Sequence, residues 1–131
     1  MNSVIENIYQ EIGLAALEVA TDLFGKLLIY AEVSDGVISA DMFYVNNSSG
    51  SIRFRFCPRP IRKLILQLWE EWQKLQGNNE WRIFCYIIDD GNFSIDLLYP
   101  DQVNSEEDVS DRRSLAINKY FGNVKVDYSK P

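Results

Sequence analysis

The stretch "KLLIYAEVSDGVISADMFYV", residues 26–45, decides how this chain folds. Its first eight residues are dense in branched and aromatic side chains, which favour extended backbone. "SDG" at 34–36 supplies turn-forming residues, and "VISADMFYV" at 37–45 answers as a second strand. "NNSSG" at 46–50 is another turn. "SIRFRF" at 51–56 is a third strand, with Ile52, Phe54 and Phe56 on one face and Arg53 and Arg55 on the other. Strands joined by such short turns pair antiparallel, because a parallel pair needs a crossover of about a dozen residues. The expectation is a three-stranded meander with one buried and one wet face.

Working outward from this meander, "SVIE" at 3–6 is a capping box, with Ser3 as N-cap and Glu6 three residues on. Ile5, Ile8, Ile12, Ala15, Ala16 and Val19 then recur at helical spacing. The pattern predicts a helix from about Asn2 to about Leu23, ended by Gly25. On the other side, "RPIRKLILQLWEEWQKLQ" at 59–76 predicts a second helix. Pro60 suits its first turn, its apolar stripe runs through Ile61, Leu64, Ile65, Leu68, Trp72 and Leu75, and its stop lies at Gly77. "WRIFCYIID" at 81–89, "DDGN" at 89–92 and "FSIDLLY" at 93–99 form a hairpin whose glycine supplies the positive φ of the turn. Pro100 ends it, and a polar loop follows. A last helix, capped by Ser110 or Asp111, runs to Phe121 with Gly122 after it, and "NVKVDYSKP" is an edge strand or a frayed tail. The fold class is therefore α+β: an antiparallel sheet of about five strands in the order α-βββ-α-ββ-α, with helices on one face. With 131 residues and no repeat or linker, residues 1–131 make one domain.

The totals exclude several functions. The sequence contains no histidine, so Ser-His and Cys-His nucleophile pairs and histidine metal sites are ruled out. No phosphate-cradling glycine motif is present. A net charge of −6 opposes general nucleic-acid binding, which is driven by neutralising phosphates. Cys57 and Cys85 lack metal-ligand spacing and lie among apolar neighbours, so reduced thiols are expected, with no metal and no cofactor. No apolar run approaches the ~20 residues of a membrane span. The start "MNSVIENIYQEI" has no basic segment leading into an apolar one, so the chain is expected to be cytoplasmic.

Charge is unevenly distributed. From Cys85 to Asp111 there is acid and no base: Asp89, Asp90, Asp96, Asp101, Glu106, Glu107, Asp108 and Asp111. From Ser51 to Lys63 there is base and no acid: Arg53, Arg55, Arg59, Arg62 and Lys63, and the roles of Arg53 and Arg55 stay open. The acidic run reads either as a solvated face or as a surface that steers a basic partner. Asp96 reads as an outward carboxylate or, paired with Asp90 or Asp41, as a general acid–base site. Trp69, next to the Leu68 and Trp72 stripe, reads as a core or near-core tryptophan or as an aromatic anchor for a partner, and Tyr99 is a second candidate anchor. Arg112 and Arg113 sit in the first turns of the last helix, where the helix dipole favours acids, so pairing with Glu106, Glu107 or Asp108 is expected to hold the loop down, the other reading being direct contact with a partner.

The run "W…DDGNFSIDLLYPD", an acidic gap and then "DRRSLAINKYFG" resembles the C-terminal half of the YezG-like immunity (antitoxin) family of polymorphic toxin and contact-dependent growth inhibition systems. "IYQEI" and "IYAEV" resemble its N-terminal half, so the likeness covers roughly residues 5 to 122. Matching positions are Asp96, Asp101, Arg112, Arg113, Lys119 and Tyr120. Leu97-Leu98 departs from it, standing where the family tends to carry acidic or tyrosine residues, and "RFRF" is more basic than the family strand. The resemblance implies a non-catalytic bacterial protein that neutralises the toxic C-terminal domain of a partner protein, often a nuclease, as a monomer in a 1:1 complex. The expected toxin-binding residues are Asp89, Asp90, Asp96, Tyr99, Asp101, Glu106, Glu107, Asp108 and Trp69. Two other readings fit the residues: a binding or adaptor module without a toxin, and a small carboxylate-based enzyme.

Overall fold

The structure, a computed structural model, describes residues 3–34, 36–46, 51–75, 80–103, 106–122 and 124–128. The described residues form α1 (Ser3–Val19), β1 (Leu23–Ser34), β2 (Val37–Asn46), β3 (Ile52–Phe56), α2 (Arg59–Lys74), β4 (Ile83–Asp89), β5 (Asn92–Leu98), α3 (Val109–Phe121) and β6 (Val126–Asp127). The six strands make one sheet in the order β5-β4-β1-β2-β3-β6. Every pairing is antiparallel except β3 with β6, which is parallel. The α+β class and the element order are as the sequence predicts, with the tail adding the short edge strand β6.

The helices cover both faces of the sheet, not one. Leu27, Ile29, Ala31 and Val33 of β1 pack with Ile5, Ile8 and Ile12 of α1 and Ile61, Ile65 and Leu68 of α2. Leu28 and Tyr30 point the other way and pack with Phe43, Cys85, Ile87 and Ile117 of α3. The physical reason lies in the strands. β1 is buried without a break from Leu27 to Val33 and β4 from Ile83 to Ile88, which is the mark of a strand covered on both sides. For β3, Ile52 and Phe54 face α3, whereas Phe56 is 78% exposed at the strand's end.

Several boundaries move. α1 ends at Val19, and Leu23 opens β1, because a register irregularity between Leu23 and Leu27, with Gly25 at φ 101°, lets the strand begin early. Ser3 is the first helical residue of α1. α3 is capped by Asp108, whose carboxylate accepts from the Asp111 amide at 2.8 Å, so Ser110 and Asp111 lie inside the helix. The β4–β5 turn is as expected: Asp90 and Gly91 have φ 54° and 80°, the two positive values of a tight hairpin. The expected turn residues Asp35 and 47–50, the start at Asn2 and the α2 stop at Gly77 lie outside the described residues.

Candidate binding surface

The β4–β5 hairpin and α3 position most of the acidic residues. Asp89 and Asp90 stand exposed at the turn. Asp101 lies past the other end of β5 in a short 3₁₀ turn, Pro100–Gln102, and Glu106 and Asp108 are exposed just before α3. β5 is seven residues long, so about 20 Å separates the two ends. The acids therefore form two groups joined by β5, with Asp96 between them on the α3 side. At the turn, Lys26 lies 4.0 Å from Asp89 and donates to the Tyr120 carbonyl at 2.8 Å.

The arginine pair turns inward. Arg112 grips Glu32 of β1 with two bonds, Nε to Oε2 at 3.0 Å and Nη2 to Oε1 at 2.9 Å, and also donates to the main-chain carbonyl of Glu107. Arg113 Nη1 reaches Asp41 of β2 at 2.8 Å, and its guanidinium lies about 6 Å from the rings of Phe43, Phe54 and Tyr128. Glu32 and Asp41 are 5% and 8% exposed. The expectation that loop carboxylates hold the pair is thus corrected: strand carboxylates hold it, and the loop is tied down through a carbonyl. The sign of Arg112's shift follows, since Glu32 raises its pKa above the usual value. One signal for this was available: Glu32 and Asp41 are acids inside otherwise apolar strands, and a buried carboxyl group needs a partner.

Asp96 accepts from the Tyr120 hydroxyl and lies 3.7 Å from Lys119 Nζ. Burial, and then the bond to Asp96, push the Tyr120 phenol well above the ordinary tyrosine range. Across the sheet Asp96 pairs with Cys85, Cys85 with Tyr30, and Tyr30 with Asp41. Three strand spacings, about 14 Å, therefore separate Asp96 from Asp41. Asp90, in the turn, is about as far along the strand. Neither separation suits a carboxylate pair acting on one bond, which needs about 5–9.5 Å. A cleft of about 230 Å³ lies between β5 and α3, walled by Ile83, Leu98, Val103 and Leu115 with Asp96 and Glu107 at its margin.

Trp69 and Tyr99 are engaged inside the molecule. Trp69 Nε1 donates to the Trp81 carbonyl at 3.0 Å, and Trp72 Nε1 donates to the Tyr99 hydroxyl at 3.2 Å. Both rings are half-buried against the α1–α2 side of the core. Exposed apolar side chains stand by both groups of acids: Leu14, Leu17 and Phe93, 65%, 46% and 46% exposed, near the turn, and Val109 and Leu115, 38% and 57% exposed, on α3. Leu14, Leu17 and Phe93 line a groove of about 530 Å³ that ends at Asp90. Sequence reading passed over Leu14 and Leu17, although both fall off the Ile5-Ile8-Ile12-Ala16 stripe and so had to face outward.

The basic stretch also finds local partners. Tyr44 donates to Asp22 at 2.6 Å, Arg55 Nε donates to the Tyr44 hydroxyl at 2.7 Å, and Arg53 lies 3.8 Å from Asp22. The Tyr44 bond, first among the causes, lowers the Asp22 pKa. Cys57 and Cys85 are unbridged and lie on opposite sides of the sheet, in separate cores. Among the described residues, no group of histidine, cysteine and acidic side chains is arranged to hold a metal ion, and no helix is long and apolar enough to cross a membrane. No family model matches this sequence, and no curated protein matches it significantly.

Proposed function

We propose that this chain is an immunity protein that binds and neutralises a basic toxin domain, probing its partner with the acidic loop before α3 and the adjoining edge of the sheet. The observation that carries this reading is the placement of charge. Arg112 and Arg113, the cations nearest the loop in sequence, are bound to Glu32 and Asp41 beneath α3. Asp101, Asp108 and Asp111 remain exposed, and no basic side chain lies within ion-pair distance of them among the described residues. A field of one sign at this end of β5, with Val109 and Leu115 exposed on α3 beside it, suits a partner that is basic around a phosphate-handling site. The mechanism is occlusion. The acidic surface attracts the toxin, apolar contact holds it, and its substrate is kept out.

The test is an activity titration. The toxin domain encoded immediately upstream is purified, and its cleavage of nucleic acid is followed as this protein is added. The expected curve falls linearly to a sharp end point at equimolar protein. Undiminished cleavage at a large excess of this protein would overturn the reading and favour an adaptor without a toxin.

A further inference from the structure

β5 has β4 on one side and no strand on the other among the described residues. An open edge presents main-chain N–H and C=O groups to other chains, and soluble proteins blunt it with proline, lysine, a bulge or a covering element. β5, with the sequence NFSIDLL, carries neither proline nor lysine, and its register against β4 runs unbroken from Asn92 to Leu98. Its two faces differ. On the α1 side Phe93 borders the groove with Leu14 and Leu17. On the α3 side stands Asp96, half exposed, with Lys119 at 3.7 Å. Asp89 and Asp90 lie at one end of the strand and Asp101 beyond the other.

We infer that the open edge of β5 receives an extended basic segment of the partner protein as an added strand. Resting on the binding role proposed above, this assigns the contact through which that role is exercised. Side chains of an added strand alternate between faces. Those on the α1 side meet the groove and are apolar. Those on the α3 side meet Asp96 and are basic. A residue directly opposite Asp96 comes within about 5 Å of it and displaces Lys119, whose exposed pairing is weak. Charge decides against a second copy of this chain as the occupant. Self-pairing in either direction sets acid against acid at both ends of β5, in molecules that each carry −6.

The experiment uses the intact protein and a fluorescein-labelled synthetic heptapeptide of alternating valine and arginine. Two controls accompany it, one with the central arginine replaced by proline and one with glutamate for every arginine. With peptide at about ten times its Kd, amide hydrogen exchange along β5 slows by about tenfold. Both controls bind more weakly by about tenfold or more in fluorescence anisotropy, since proline removes a donor and glutamate reverses the charge. Asp96→Lys weakens binding of the arginine peptide while leaving the far-ultraviolet spectrum unchanged. Equal binding by the proline peptide, with β5 exchange unaltered, would overturn the inference and leave only diffuse attraction. Protection of β5 in a dimer without any peptide would overturn it in favour of a second copy. The peptide carries no toxin sequence, so either result stands apart from the activity titration.

Discussion

Arg112 shows how one residue binds three segments: its guanidinium joins α3 to Glu32 of β1 and to the Glu107 carbonyl of the loop. Its side chain and that of Glu32 are 9% and 6% exposed. Breaking such a pair strands a buried charge, so Arg112→Ala is expected to cost about 3–5 kcal/mol in urea unfolding. Arg112→Lys recovers little of this, because a point charge cannot make the two-pronged contact. Glu32 also accepts from the buried Tyr30 hydroxyl at 2.7 Å, so it takes all three changes to apolar residues, Glu32→Leu, Arg112→Met and Tyr30→Phe, to restore most of the stability. Gly13 offers a second test. A Cβ there would stand 2.6 Å from the Tyr86 hydroxyl, which donates to the Tyr9 carbonyl at 2.7 Å. Helix propensity favours Gly13→Ala by about 1 kcal/mol, but overpacking opposes it by about 1–3 kcal/mol. Tyr86→Phe removes the obstructing oxygen. The double variant should therefore be more stable than the sum of the two single changes, as a double-mutant cycle will read.

At the scale of elements, turn chemistry and apolar spacing made the hairpins and helices legible. The 26–45 stretch pairs in the register its turn implies, and "DDGN" gives the positive-φ pair at Asp90 and Gly91. What was not legible was which face each helix covers. α3 carries only one buried residue, Ile117, so its stripe barely announces a core-facing helix. The signal lay instead in the strands, where "LLIYA" and "FCYII" are apolar on both sides. Of the candidate site, the acidic residues were legible by composition, but their division between the two ends of β5 was not, because it depends on where the hairpin turns. The two cores make a prediction of their own. Burial pushes the Cys57 and Cys85 thiols up to about 12. In the native protein at pH 8 both should resist Ellman's reagent, and both should react at once in urea. Because the folded state raises these pKa values, their contribution to stability is present below the ordinary thiol pKa and is lost as pH rises toward 12. The urea midpoint should fall across that window.

The whole molecule is an acidic body whose nearest cations to the loop are spent internally. Long-range attraction to a basic partner belongs to this scale. Asp101→Lys combined with Glu107→Lys should slow association with the proposed toxin partner by about tenfold at low salt, with a smaller effect at high salt and an unchanged unfolding midpoint. Stopped-flow mixing of the two proteins measures it. Equal association rates for the variant and the parent would take the loop out of the interface. The most direct measurement is survival. The chain is co-expressed with the C-terminal domain encoded immediately upstream, and growth is followed while the tagged protein is recovered. Cells are expected to survive, and the two proteins to elute together in equal amounts. Cells dying as fast as without the chain, with no complex recovered, would contradict the proposed role.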